Sequence, residues 1–348
     1  SSFTKYLALA MDDSVVVDGQ PFLKHFQDRT RKAGTKALLN TLATRFPAAV
    51  VMLDLASEQI AGATLETVST VLYYKVLQWA GYSRNVKIAA FERKLQKDGR
   101  YEEFQSLFKE KVKEPWSECQ DDGLVTDSVL PGLAHKLYPD IFETPQSFTT
   151  TASEDIYLLD DRVREMLDVV REKSGKEHIL FVIDEVGQYV GSNANKILDL
   201  QGLAENLKNI GDGRVWLINT AQQTLTEDDP RAALNSPELY KVKDRFPISV
   251  NLESRDIKEI CFRRLLGKSA EGAAALKKLF GEHGQALRQN TKLEDAKYYD
   301  STFGEDEFVN LYPFLPAHFD ILLHLLGQLA KSTGGVGLRS AIKVIQDI

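Results

Sequence analysis

The chain has 348 residues, 43% hydrophobic and 27% charged, with a formal net charge of -7. That balance supplies material for two or three lobes and argues against a chain that binds nucleic acid through bulk positive charge. Only Cys119 and Cys261 are present, far apart, the six histidines show no paired spacing, and no apolar run approaches roughly 20 residues. A disulfide framework, a zinc site and a membrane-spanning helix are thus disfavoured, and a reducing cytoplasm is the expected setting.

The sequence opens SSFTKYLALAMDD, without Met, in an amphipathic helix whose Phe3, Leu7 and Ala10 share a face. Such a stretch commonly follows the Gly-Lys of a phosphate-binding loop, G-x-x-x-x-G-K-[ST], and no copy of that motif lies in these residues. The expectation is a sequence that starts just after a missing Gly-Lys, with Ser1 as the Mg²⁺-binding hydroxyl and Ser2 as second choice. The strand before that loop is then expected to be missing too.

Ala37 to Arg45 reads as helix and Ala48 to Leu55 as a buried strand; its Asp54 is a candidate supporting acid near the site, although a lone acid at a strand end is more often just a cap. From Leu65 to Val112 the pattern is helical, with Leu72, Val76 and Trp79, then Ile88, Phe91 and Leu95, then Phe104 and Phe108 at spacings of three and four. Breaks are expected at Gly81 and at Asp98-Gly99. Gly123 to Phe148, carrying Pro131, Pro139 and Pro145, reads as short helices and loops, so residues 65 to 150 form a long helical insertion. Ile156 to Lys173 is a helix with i, i+4 charge pairing.

The stretch that organises the rest is His178 to Val190, HILFVIDEVGQYV. Five apolar residues, Ile179 to Ile183, follow the polar turn KSGKE and run into Asp184 and Glu185, the pattern of a parallel strand buried on both faces. Carboxylates are costly to bury, so acids at the carboxyl edge of such a sheet face a cation or ligand. This is the Walker B pattern: Asp184 would hold the Mg²⁺ of a bound nucleotide, directly or through water, and Glu185 would orient and polarise the attacking water, the alternative being a strand that ends in solvated acids at a turn.

After the loop GSNANK a helix from Ile197 to Ile210 turns Leu198, Leu203 and Leu207 inward, and Arg214 to Thr220 forms the next strand. A γ-phosphate sensor belongs at its tip, with Gln222 first and Asn219 or Thr220 next. Arg245 precedes Phe-Pro and a last strand, Ile248 to Leu252, where an Arg can reach a neighbouring subunit's γ-phosphate. Lys243 and Arg231 are rivals for that role, and a surface Arg paired with an acid is the plainer reading. From Arg255 onward the pattern is helical. Ile257, Ile260, Cys261 and Leu265 share a face, Ala273 to Gln289 is a second helix, LYPFLPAHFDILLHLLGQLA a third, and STGGVGLRSAIKVIQDI a Gly-rich turn before a helix carrying Arg339 in a lid position.

Taken together, the order of strands, acids, polar strand tip, Arg and lid Arg resembles an AAA+ ATPase core, an α/β P-loop fold with a parallel sheet flanked by helices. More narrowly, the chain resembles the large P-loop ATPase of bacteriophage-exclusion (BREX) systems, the BrxC or PglY type. FVIDEVGQYVG at 181 to 191, KVKDRFPISVNLESRDIKEI at 241 to 260, LYPFLPAHFD at 311 to 320 and TGGVGLRSAIKVIQDI at 333 to 348 carry the likeness, with SSFTKYLALA at 1 to 10 and residues 91 to 116. The resemblance implies an α/β NTPase domain over 1 to 254 and a helical lid over 255 to 348. It also implies ATP and Mg²⁺ as cofactors, a homo-oligomer in the cytoplasm, other BREX proteins as partners, an indirect link to DNA and no membrane. Glu185, Arg245 and Gln222 would be catalytic, and Asp184, Ser1, Ser2 and Arg339 would bind nucleotide or metal.

Two other readings compete. One is a nucleotide-gated scaffold with little turnover. The other is direct DNA binding through Lys5, Arg29, Arg31, Lys32 and the basic residues from Arg93 to Lys113, among which acids are interspersed.

Overall fold

A computed structural model describes residues 2–56, 66–150, 159–191, 193–221, 245–250, 259, 261–263, 265–292, 302–333, 343 and 345–346. The chain divides into two units, Ser1–Pro247 and Ile248–Ile348. In the first, α1 (Ser2–Met11) leads through a small hairpin, β1 (Val16–Val17) and β2 (Gln20–Pro21), to α2 (Phe22–Asp28), α3 (Ala33–Arg45) and β3 (Ala48–Asp54). Six helices follow: α4 (Val68–Trp79), α5 (Val86–Lys97), α6 (Tyr101–Val112), α7 (Trp116–Cys119), α8 (Gly123–Leu137) and α9 (Pro145–Thr150). Then come α10 (Leu159–Ser174), β4 (His178–Asp184), α11 (Val186–Val190), α12 (Ala194–Ile210) and β5 (Val215–Asn219).

The apolar runs AAVVMLD and HILFVID pair in parallel and in register, Ala48 with His178 through Asp54 with Asp184, and β5 adds to the far side of β4, giving the order β3-β4-β5. Side chains alternate between faces along a strand. Ala49, Val51, Leu53, Ile179, Phe181 and Ile183 therefore join a core shared with α4, α10 and α12, while Ala48, Val50, Leu180 and Val182 meet Ala8 and Met11 of α1. The result is a parallel α/β sheet flanked by helices on both faces.

Two ion clusters fix the direction of α1. Lys5 in its first half reaches Asp54 and Asp184 at the carboxyl ends of β3 and β4, while Asp12 and Asp13 just after its end hold Lys176, two residues ahead of β4. The helix therefore runs antiparallel to the strands, with its N-terminal end at their carboxyl edge. Lys176 also donates to the Ala48 carbonyl at 3.3 Å, tying the helix end to the start of β3. Burial works to raise the Asp12 carboxyl, but the Lys176 ammonium and the Ser14 hydroxyl outweigh it and hold the pKa below its usual range.

Several local expectations need correction. On α1 Ala8 and Met11 meet the sheet and Ala10 is buried as expected, but Phe3 is 68% exposed and lies against Phe26. In α12, Leu198 is exposed, and Ile197 and Leu200 face inward with Leu203 and Leu207. Gly123 to Leu137 is one continuous helix through Pro131. Its Asp122 side chain caps Leu124 and Val125 N–H groups, and burial of Val129, Leu130, Leu133 and Leu137 offsets the backbone bond that proline removes. Residues 248–250, expected to begin a strand, form none, and Ile248 and Val250 are exposed. Residues 251 and 252 lie outside the described set.

The breaks at Gly81 and Gly99 are present, both glycines holding positive φ just beyond α4 and α5. Yet α4 packs on the sheet, so the separate helical core begins with α5 and runs through α9. Its centre is Trp116, edge-on to Phe104 at 5.0 Å and Phe108 at 4.9 Å, pairings each worth about 1 kcal/mol beyond burial. Within it lies Glu92, fully buried, accepting from the Ser83 N–H at 2.8 Å, the Trp116 indole N–H at 2.7 Å and the Tyr101 hydroxyl at 3.5 Å. Burial dominates these donors and pushes the carboxyl up to about 7.

The second unit contains α13 (Ala270–Asn290), α14 (Glu305–Leu311) and α15 (Pro316–Thr333). Phe303, Phe308 and Val309 pack on Leu276, Phe280 and Leu287 of α13, and Cys261, Leu311 and Phe319 form a second small cluster with Ile345. Leu265, expected on the same inward face as Cys261, is 37% exposed. Among the described residues no helix is long and apolar enough to cross a membrane.

Because the Glu92 pKa is raised on folding, its contribution is most favourable below the ordinary carboxylate range and is lost as pH climbs toward about 7. Urea denaturation at pH 5 and pH 8 should show wild type losing on the order of 3 kcal/mol that Glu92→Gln does not lose. Equal pH dependence in both proteins would contradict this.

Candidate functional site at the carboxyl edge of the sheet

Register builds the site. Asp54 stands directly opposite Asp184 at the carboxyl ends of β3 and β4, and the alternation that sends Leu53 and Ile183 into the core sends both acids to the α1 face. Two carboxylates on neighbouring strands repel unless a cation lies between them. That cation is Lys5, whose ammonium lies 3.1 Å from Asp184 Oδ2 and 3.5 Å from Asp54 Oδ2.

Asp184 is 4% exposed. Its other oxygen accepts from the Thr220 hydroxyl, one residue past β5. The same Thr220 oxygen accepts the Glu185 N–H at 3.2 Å, and the Thr220 carbonyl accepts the Val186 N–H at 3.0 Å. Leu55 N–H donates to the Asp184 carbonyl at 3.3 Å, so the segments leaving all three strands are laced together. Burial works to raise the Asp184 carboxyl, but the Thr220 hydroxyl and the Lys5 ammonium outweigh it and hold the pKa below the usual carboxylate value. The hydrogen bond to Asp184, above all, raises the Lys5 pKa in turn. At neutral pH the pair is ionised on both sides.

Glu185 follows in the left-handed region, φ 62° and ψ 29°, as the first residue past the strand and the cap of α11. A non-glycine residue held there costs about 1 kcal/mol, and such positions concentrate at ligand sites. The turn separates the two acids: Asp184 stays in the sheet and Glu185 leaves it, half-buried.

Of the strand-tip residues, Thr220 joins the carboxylates. Asn219 falls on the opposite face with Val215 and Leu217, and its amide N and O are buried without a hydrogen-bond partner among the described residues. Gln222, Ser1 and Arg339 lie outside the described residues, as do Lys243 and Arg231, and so does the Ser2 side chain. Arg245 pairs with Glu205 of α12 at 3.1 Å, both side chains 48% exposed, which fits the plainer reading of a surface ion pair worth at most about 1 kcal/mol.

The two residues that complete the cluster were hard to read from sequence. Lys5 looked like one surface cation among several, and only the antiparallel path of α1 brings it to Asp184. Thr220 stood second to Gln222 as a strand-tip residue, and its signal was its position one residue past the β5 run.

Among the described residues there is no gathering of three or more His, Cys, Asp or Glu side chains. Mg²⁺, which is typically held by one or two carboxylates and keeps several waters, asks for no such gathering. An ionised Asp184 that already attracts a cation, with Asp54 beside it, fits that donor chemistry.

A scan against protein-family models finds no match for this chain. No solved structure matches it either.

Thr220→Val removes both the donor to Asp184 and the acceptor for Glu185 N–H in a partly buried setting. Chemical denaturation at pH 7 should show a loss of about 1–3 kcal/mol. The Asp184 carboxyl should titrate at higher pH than in wild type, as read by carbon NMR. An unchanged titration would remove Thr220 from the cluster. Because the Asp184 pKa is depressed on folding, its stabilising contribution is present above the ordinary carboxylate range and disappears as pH falls through the folded value.

Proposed function

We propose that this chain is the ATP-handling core of an AAA+ ATPase acting in a prokaryotic anti-phage complex of the bacteriophage-exclusion kind. One observation carries the nucleotide reading: Asp184, held by Thr220 and Lys5, lies at the carboxyl edge of a parallel sheet toward which the acid-free first turn of α1 is directed. Strand edges of this kind and helix N-termini together favour a cation and phosphate groups. The defence reading is supported by the wording of residues 91 to 116 and 311 to 348.

When bound, Mg²⁺ supplies charge neutralisation at phosphate oxygens. In this reading Asp184 and the Ser1 hydroxyl, Ser2 being the alternative, would hold the ion, with Asp184 turned to it in place of the Lys5 ammonium. Glu185, carried clear of the sheet by its left-handed backbone, orients water and accepts its proton. Thr220 fixes the two acids relative to each other, and Gln222 reads the γ-phosphate. Arg245 exchanges Glu205 for the phosphate of a neighbouring subunit, and Arg339 serves from the lid. The assembly is a homo-oligomer in the cytoplasm with other defence proteins as partners, which it remodels or loads on DNA.

A second reading, a nucleotide-gated assembly scaffold with little turnover, is favoured by one feature: Lys5 already neutralises Asp184.

The test is ATP turnover by the protein as encoded beside its Glu185→Gln form, with oligomeric state measured in the same samples. Turnover should fall by roughly two to four orders of magnitude while nucleotide binding persists. Equal slow turnover in both, with assembly retained, would establish the scaffold. Absence of nucleotide binding in both would overturn the nucleotide reading itself.

A further inference from the structure

Two basic segments stand out on this acidic chain, and the structure treats them differently. In the Arg93 to Lys113 segment seven cations stand among four acids, Asp98, Glu102, Glu103 and Glu110, and three of the seven are held in ion pairs. Arg93 pairs with Glu165, Lys94 with Asp98 and Arg100 with Glu103, and Lys94 and Arg100 both lie over the Tyr138 ring. Lys5, the third candidate cation, is spent on Asp184 and Asp54.

The α2–α3 turn is the opposite case. Between Lys24 and Lys36 stand Lys24, Arg29, Arg31, Lys32 and Lys36 against a single acid, Asp28. Arg29, Arg31 and Lys32 are exposed, and none of the five cations has an ion pair among the described residues. Of the three acids between α1 and α2, Asp12 and Asp13 are taken by Lys176, and Asp18 stands in the β1–β2 turn. No acid enters the first turn of α3. Like charges concentrated without internal neutralisation cost folding energy, and a polyanion relieves that cost.

Chemistry narrows the partner. From Arg29 to Ala37 the sequence is RTRKAGTKA, which holds no large apolar side chain to enter a bilayer, the exposed Leu38 and Leu42 lying further along α3. Arg29 and Arg31 offer planar forks suited to phosphate oxygens, and small residues around them leave room for a close backbone. We propose that the α2–α3 turn, through Arg29, Arg31 and Lys32, contacts the phosphate backbone of nucleic acid directly. This inference rests on the surface charges and stands apart from the nucleotide reading of Asp184 and Glu185.

The experiment is fluorescence anisotropy of a labelled 30-base-pair duplex of arbitrary sequence, titrated with the protein as encoded from low to moderate KCl without nucleotide. Each phosphate neutralised steepens the log–log salt slope by about 0.9, so Arg29→Glu/Arg31→Glu/Lys32→Glu should flatten it by about 3 and weaken binding at least roughly tenfold. Arg29→Lys/Arg31→Lys should keep the slope, and circular dichroism verifies folding of each variant. No duplex binding at low salt, or an unchanged slope in the charge-reversed variant, overturns the proposal. Charge-dependent binding to phosphatidylserine vesicles without binding to DNA overturns it in favour of a membrane surface.

Discussion

The carboxyl edge of this sheet depends on one pairing: seven residues of β3 lie in register with seven of β4, so that Asp54 and Asp184 end side by side. Two carboxylates so placed demand a cation. Lys5 supplies it, and in doing so fixes how far along the sheet α1 can sit. Lys176, held by Asp12 and Asp13 at the other end, fixes the same helix from below. A one-residue slip of either strand would send its acid to the opposite, apolar face. Register, helix position and charge thus constrain each other, and the hydroxyl of Thr220 adds β5 to the same set.

Much of this was legible. The apolar runs of β3 and β4 carry their own signal, since strands buried on both faces need unbroken hydrophobicity, and their acids mark the ends; β5, with Trp216 exposed, shows by its β-favouring run and polar tip. Helix boundaries at Gly81 and Gly99 followed from backbone freedom. What resisted reading was everything that depends on a distant partner. Pro131 looked like a helix break because local propensity ignores the burial of Leu130 and Leu133 on either side of it. Leu198 and Phe3 fit a helical period yet face outward, because periodicity identifies a stripe without saying which rows the neighbouring layer covers. Lys5 could not be told from a surface cation without the direction of α1.

Charge shows the same division. The Arg93 to Lys113 segment and the α2–α3 turn are both basic on an acidic chain, the first with four acids interspersed and the second with one. Tertiary neighbours widen the difference: Glu165 comes from α10 and Tyr138 from beyond α8, neither of which lies near its cation in sequence. The buried Glu92 belongs here too. Three donors from three different elements converge on it, and burial still keeps its proton affinity high, so the helical core it anchors carries an acid that apolar packing would disfavour.

The left-handed backbone at Glu185 sets two demands against each other. For folding alone glycine would be the cheaper occupant, since only a residue without Cβ enters that region freely. The chain instead keeps a long acidic side chain there, beside the end of its most deeply buried strand. Stability is surrendered at that one position, and the residue that keeps it surrendered is the acid. A sequence optimised for thermal resistance would therefore favour glycine at 185, and would lose the carboxylate before it lost the fold.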